Sequence, residues 1–191
     1  MDQLDDSELI ACYRKGDVQA LEILVQRYKR PLFSYILNMT GNSGDADEIF
    51  QDAWMKVIRK IGLYRHKNFF GWLVRITHNV IIDGTRRKKP NVSLDAETGD
   101  EGGSLGNILP DEGFAPDQNS QNKDLGRVIS EAVALLPDEQ KEVFLLRTKM
   151  ELPFKEIAKI QGTSINTALA RMQYALTKLR EPLSGSYQDL A

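Results

Sequence analysis

The chain has 191 residues, 41% of them hydrophobic and 27% charged, with a formal net charge of −2 at pH 7. This excludes a collagenous or wholly disordered chain, and no apolar run approaches the roughly 20 residues needed to span a bilayer. The single cysteine, Cys12, excludes an intrachain disulfide and the four-thiolate zinc sites; His66 and His78 lack the i, i+4 ligand spacing of a helical metal site, so neither metal nor cofactor is expected.

The charge is spread unevenly. Residues 1–90 hold 15 Lys/Arg against 11 Asp/Glu, residues 91–122 hold none against 7, and residues 123–191 hold 10 against 9. Two mildly basic ends around an acidic middle point to nucleic-acid contact more than the total does. The start, Met1-Asp2-Gln3-Leu4-Asp5-Asp6, is acidic where a signal peptide is basic, so the chain is expected to stay in the cytoplasm, without membrane insertion.

The apolar residues follow the helical period and no long alternating run is present, which predicts an all-α fold. A first helix is expected over about 7–15, with Cys12 buried on it. A second starts at Asp17, carries Ala20, Leu21, Leu24, Val25 and Tyr28 at core spacing, and ends near Met39 before Gly41, with Pro31 kinking or breaking it. A third is expected from Asp45 as N-cap, with Glu48 completing a capping box; its stripe is Ile49, Ala53, Val57 and Ile61, widened by Trp54 and Ile58. A fourth follows Asn68 as N-cap and runs through Phe69, Trp72, Leu73, Ile76, Val80 and Ile81 into Arg86-Arg87-Lys88-Lys89, closed by Pro90.

Residues 91–122, rich in Gly, Asp, Glu, Asn, Ser and Pro, are expected to be a flexible acidic linker between two small helical domains, 1–90 and 123–182, with a tail over 183–191. In the second domain a helix is expected over 125–135, then one with Pro137 at its first position to about Lys149, then a short one from Pro153 to Gln161. Gly162-Thr163 make a turn, Ser164 caps, and a long helix runs to about Arg180 before Pro182.

The segment from Pro153 to Arg171 reads as a helix-turn-helix: small Ala158 where the helices cross, Gly162 in the turn and apolar Ile165 after it. Ile165, Ala168, Leu169, Met172, Ala175, Leu176 and Leu179 form a stripe expected to face the core. Asn166, Thr167, Ala170, Arg171, Gln173, Tyr174 and Lys178 are left outward, towards base edges and phosphates. The plainer alternative is an αα-hairpin with a solvated outer face. In the first domain Tyr64, Phe69, Phe70 and Trp72 cluster with Arg65, Lys67, Arg75, His78, Asn79, Arg86 and Arg87, a mixture of aromatic faces and cations suited to unstacked bases and phosphates. For Phe69 and Trp72 a place in the core is the safer expectation.

Three motifs carry a family resemblance. The run from Asp45 to Val57 looks like the part of sigma region 2 that docks on the polymerase clamp. The run from Phe69 to Arg87 resembles the following segment, which melts and reads the −10 promoter element. The run Leu136-Pro-Asp-Glu-Gln-Lys-Glu-Val-Phe-Leu-Leu-Arg147, with the helix-turn-helix, resembles region 4, the reader of the −35 element. Their order and spacing are similar to those of the extracytoplasmic-function sigma factors, a group of the sigma-70 family, over nearly the whole chain. The resemblance implies a non-enzymatic transcription initiation factor whose partners are the RNA polymerase core (β′ clamp and β flap), promoter DNA and an anti-sigma factor.

By residue, it implies −10 contacts from Tyr64, Arg65, Lys67, Phe69, Phe70, Arg75, His78, Asn79, Arg86 and Arg87, with Asn79 capturing a flipped base in a pocket built by the loop from Tyr64 to Phe70. The −35 contacts fall on Ser164, Asn166, Thr167, Arg171, Gln173, Tyr174 and Lys178, and core-polymerase contacts on Asp47, Glu48, Gln51, Asp52 and Lys56. The chain departs from the family in Asn166-Thr167-Ala168-Leu169-Ala170, and in Tyr174 where a cation is common, so its −35 face is less cationic. A stand-alone helix-turn-helix regulator and a helical adapter stay open as alternatives at this point.

Overall fold

The computed structural model describes residues 4–65, 68–88 and 120–188. All described elements are helices: α1 (Asp6–Arg14), α2 (Val18–Thr40), α3 (Ser43–Ile61), α4 (Phe69–Lys88), α5 (Ser120–Ala134), α6 (Asp138–Thr148), α7 (Phe154–Ile160) and α8 (Ile165–Gln188). Helices α1–α4 form one compact unit and α5–α8 another.

In the first unit Asp5 caps α1 through a full capping box: its Oδ1 accepts from Glu8 N at 2.9 Å and Glu8 Oε2 accepts from Asp5 N at 2.8 Å. Asp17 caps α2, accepting from Gln19 N at 3.0 Å, and Gly41, left-handed at φ 67°, ends it. Pro31 does not break α2. Proline removes one backbone donor, but Leu24 before it and Leu32, Tyr35 and Ile36 after it are all buried, so shared core packing holds the two halves as one helix.

Helix α3 begins earlier than expected, because Asn42 is the cap: its Oδ1 accepts from Gly44 N at 2.8 Å and Asp45 N at 3.2 Å. Asp45 therefore lies in the first turn, where its charge complements the helix dipole. Asn68 caps α4 as expected, accepting from Gly71 N at 3.0 Å. Helix α2 packs on α1, α3 and α4, and α3 also packs on α4. Leu9, Leu24, Leu32, Tyr35, Ile36, Val57, Ile61, Phe69 and Leu73 are fully buried; each such side chain contributes about 1.5–3 kcal/mol. Two expectations fail here: Cys12 is half-buried, and Ile58 is exposed instead of widening the α3 stripe.

In the second unit α8 packs on α5, α6 and α7, over a core that includes Val143, Leu145, Leu146, Ile157 and Ala168. Helix α5 starts at Ser120, inside the stretch expected as linker; the rest of that linker, 91–119, lies outside the described residues. Pro137 is the N-cap of α6, one place before the position expected, and α8 continues through Pro182 instead of ending at Arg180. The helix-turn-helix forms: Ala158 is buried at the crossing, Gly162 takes φ 62°, and Thr163 N donates to Ala158 O at 2.9 Å.

The α8 stripe is only half buried. Ala168, Ala175 and Leu179 reach the core, while Ile165 (45% exposed), Leu169 (40%) and Leu176 (42%) form a row at i, i+4, i+11 along its flank. The small alanines let α8 approach closely along a narrow line, so the larger residues beside that line remain in solvent.

Candidate nucleic-acid interface

The expected aromatic cluster assembles, but mostly as a foundation. Phe69 is 2% exposed and Tyr64 8%, so neither offers a free face to a base. The Tyr64 ring meets Phe69 edge-on at 5.8 Å and lies 4.9 Å from Trp72. Burial, with the Asp6 carboxylate adding to it, pushes its phenol up to about 12. Phe70 is half-buried and stacks on Tyr28 at 4.8 Å and 13°. The Tyr28 hydroxyl donates to Asp6 Oδ2 at 2.5 Å, and Arg27 Nη1 pairs with Asp6 Oδ1 at 2.7 Å. Burial and this carboxylate raise the Tyr28 pKa well above that of a free phenol.

Arg65, Arg75 and Asn79 are exposed and His78 is half-buried. Lys67 and the side chains of Arg86 and Arg87 lie outside the described residues. Asn79 lines a depression of about 410 Å³ between α3 and α4, together with Lys56, Arg59, Lys60, Ile76 and Asp83. Among the described residues, those that share this recess with Asn79 come from α3 and α4. Lys56 Nζ lies 3.5 Å from Asp83 Oδ2, so three cations face one carboxylate. Arg59 and Lys60 were not singled out in the sequence. The signal was their i, i+3, i+4 spacing from Lys56, which puts all three along one edge of α3.

Lys56, half-buried, lines this depression and also lies one turn after Asp52 on α3. Asp47, Glu48, Gln51 and Asp52 are exposed on the outer face of α3, followed by exposed Met55 (49%) and Ile58 (37%). The helix carries an acidic face that ends in an apolar patch, and a basic edge turned towards α4.

In the second unit Ser164, Asn166, Gln173, Tyr174 and Lys178 are exposed. Ser164 Oγ accepts from Thr167 N at 3.0 Å and lies 2.8 Å from the Thr167 hydroxyl, so both residues serve the α8 N-terminus. Arg171, expected on the outward face, has its guanidinium held by neighbours. Its Nη1 donates to Gln161 Oε1 at 2.8 Å and its Nη2 lies 3.2 Å from Glu139 Oε2. Gln161 Nε2 in turn donates to Glu139 O at 3.0 Å and to Oε2 of Glu142 at 2.8 Å, and Glu142 is only 4% exposed. None of Glu139, Glu142 and Gln161 could be picked out from the sequence, because nothing in the local pattern brings α6 to the turn after α7.

Among the described residues no group of three or more His, Cys, Asp or Glu could hold a metal ion, and no helix is long and apolar enough to cross a membrane.

The family model for sigma-70 region 2 matches residues 24–90, and that for sigma-70 region 4 matches residues 126–179. The chain is 31% identical over 172 residues to the ECF RNA polymerase sigma factor SigW of Bacillus subtilis, covering 89% of this chain and 92% of that protein. It is 27% identical over 196 residues to the ECF RNA polymerase sigma-E factor of Escherichia coli K12, covering 99% and 97%. Among solved structures it is similar in fold to the sigma factor RpoE crystallised with the anti-sigma factor NepR from Bartonella quintana (TM-score 0.62, 17% identity, 86% of this chain and 96% of that one). It is also similar to CnrH in complex with the cytosolic domain of CnrY (TM-score 0.65, 20% identity, 94% and 97%). The two-unit helical fold, with a region 2 match in one unit and a region 4 match in the other, defines a sigma-70-type transcription initiation factor. The chain belongs to the extracytoplasmic-function (ECF) RNA polymerase sigma factors. A region 2 match over residues 24–90 removes the stand-alone regulator and the adapter from consideration.

Proposed function

We propose that the two units divide promoter recognition between them, residues 1–90 docking on core polymerase and opening the −10 element, residues 123–182 reading the −35 element, and the acidic stretch between them bridging the two. The observation that carries this reading is the depression that brings Asn79 together with Lys56, Arg59 and Lys60. A polar amide able to bond a base edge, beside three cations for phosphates, suits a single strand with one base drawn out of the stack. Arg65 and Arg75 extend the cationic surface, while Tyr64, Phe69 and Phe70 build the support behind it.

The exposed Asp47, Glu48, Gln51 and Asp52 with Met55 and Ile58 are assigned to the polymerase clamp, since a charged rim around an apolar centre is the usual anatomy of a docking patch. On α8, Asn166, Arg171, Gln173, Tyr174 and Lys178, with Ser164 and Thr167 at its start, are assigned to the −35 element, and the β flap is the further core contact of this unit. An anti-sigma factor is proposed as a regulatory partner, and the cytoplasm as the site of action.

Transcription by core polymerase with the purified chain tests the division. On promoters it initiates from, Asn79→Ala is expected to relax preference at one −10 base and Arg171→Ala to weaken dependence on the −35 element. Loss of an Arg or Asn base contact is worth about 1–3 kcal/mol, a factor of roughly 5 to 160. If both variants keep the parent's preference at both elements, the assignment is wrong.

A further inference from the structure

The turn between α3 and α4 contains an apolar side chain that the fold leaves in solvent and a clamp that keeps it there. Leu63 is 80% exposed. An exposed leucine alone means little, but the backbone around this one is fixed from both sides. Arg14, on α1, donates to Ile61 O from Nε at 3.2 Å and from Nη2 at 2.9 Å, and its Nη2 also donates to Tyr64 O at 2.5 Å. One guanidinium therefore donates to carbonyls on each side of Leu63, one of them the carbonyl of the last α3 residue. Two turn bonds add to this, Leu63 N to Lys60 O at 3.0 Å and Tyr64 N to Ile61 O at 3.2 Å. Helix α1 lies outside the segment that matches sigma region 2, residues 24–90.

The charges around Leu63 match one kind of partner. Arg59, Lys60 and Arg65 flank it and are exposed, and Lys60 also lines the depression that holds Asn79. An apolar tip flanked in sequence by cations, two of which also line the basic recess, fits a strand whose phosphates the cations hold while a base face meets the tip. Proteins that unstack DNA use leucine or similar wedges in this way. Because the backbone of residues 61–64 is already held by these bonds, little of its conformational freedom remains to be lost when DNA arrives.

We infer that Leu63 is a further −10-element contact, an apolar wedge against an unstacked base, and that Arg14 is the positioning residue that presents it. This rests on the −10 reading proposed above. The test is base unpairing within the −10 element, followed by 2-aminopurine fluorescence on a promoter from which the full-length chain and core polymerase initiate, with affinity for core measured in parallel. Leu63→Ser, a surface change that leaves the fold intact, is expected to lower the open-complex equilibrium roughly tenfold (about 1.4 kcal/mol) at unchanged core affinity, and Leu63→Met to restore it. Arg14→Ala is expected to produce a similar loss, Arg14→Ala with Leu63→Ser no greater loss than either alone, and Arg14→Lys only partial recovery, since an ammonium cannot span both carbonyls. Unpairing within twofold of the parent in Leu63→Ser, while Asn79→Ala impairs it, would overturn the wedge and leave the −10 reading standing. Normal unpairing in both Leu63→Ser and Asn79→Ala would overturn both.

Discussion

Replacing Gln161 with alanine should loosen the helix-turn-helix far more than its place on the surface suggests. The side chain makes three hydrogen bonds: to Glu142 Oε2 at 2.8 Å, to Glu139 O at 3.0 Å and from Arg171 Nη1 at 2.8 Å. The bond to Glu142 dominates, because that carboxylate is only 4% exposed. A bond to a charged group contributes about 1.5–3 kcal/mol, and the bond to the backbone carbonyl about 1 kcal/mol. The Arg171 contact adds little, because its ion-pair partner Glu139 is 72% exposed and solvent screens the pair. The expected loss is therefore about 2–4 kcal/mol, or exchange of the most protected α6–α8 amides faster by roughly thirtyfold to several hundredfold. Amide hydrogen exchange on the full-length chain reads the second unit separately from the first. Gln161→Glu, of similar shape but adding a carboxylate beside Glu142, should cost at least as much near neutral pH and recover on acidification. Exchange in Gln161→Ala within threefold of the parent would refute the reasoning.

Asn42→Ala should cost the first unit about 1 kcal/mol by denaturant unfolding and Asp45→Ala less, since Asn42 caps α3 and Asp45 lies inside the first turn. Trp54 Nε1 is buried without a hydrogen-bond partner among the described residues; Trp54→Phe, which removes that donor, should cost under about 1.5 kcal/mol in the same assay, against about 2–5 for Leu73→Ala. The folded pKa of Tyr64 lies above the ordinary phenol value of 10.0, so stability from the buried neutral phenol is complete below pH 10 and is lost as the pH climbs through about 12. Unfolding of the first unit measured from pH 9 to 12 should therefore fall less steeply for Tyr64→Phe than for the parent.

Helix positions were legible in the sequence because each segment has an apolar period and most have a recognisable stop such as Gly41 or a cap such as Asp17 and Asn68. The errors came where a nearby residue competed for the same role. Asn42 displaced Asp45 as the α3 cap because a neutral amide three residues earlier could already take the Gly44 and Asp45 N–H groups. Pro31, read as a kink or break within the second helix, and Pro182, read as lying beyond the last one, both sit inside continuous helices. Packing explains Pro31, whose flanks are buried on both sides; the continuation past Pro182 has no account in the described side chains.

The candidate interface was legible as composition and less so as geometry. The aromatic residues around Tyr64 were correctly grouped, but whether a ring faces solvent or core depends on Asp6, Arg14 and Tyr28, which lie far away in the sequence. Similarly, nothing local to α8 shows that Arg171 is held by α6 and by the turn after α7. That Lys56, Arg59 and Lys60 share a depression with Asn79 likewise depends on how α3 packs on α4, which neither segment shows alone.

The most direct test of the central claim is transcription of fragmented genomic DNA by core polymerase, with and without the purified chain, and sequencing of the 5′ ends. The account predicts new starts that require the chain, share one pair of upstream elements, and change their −10 preference with Asn79→Ala and their −35 dependence with Arg171→Ala. A folded chain that binds active core yet produces no new starts, or starts without shared elements, would contradict it.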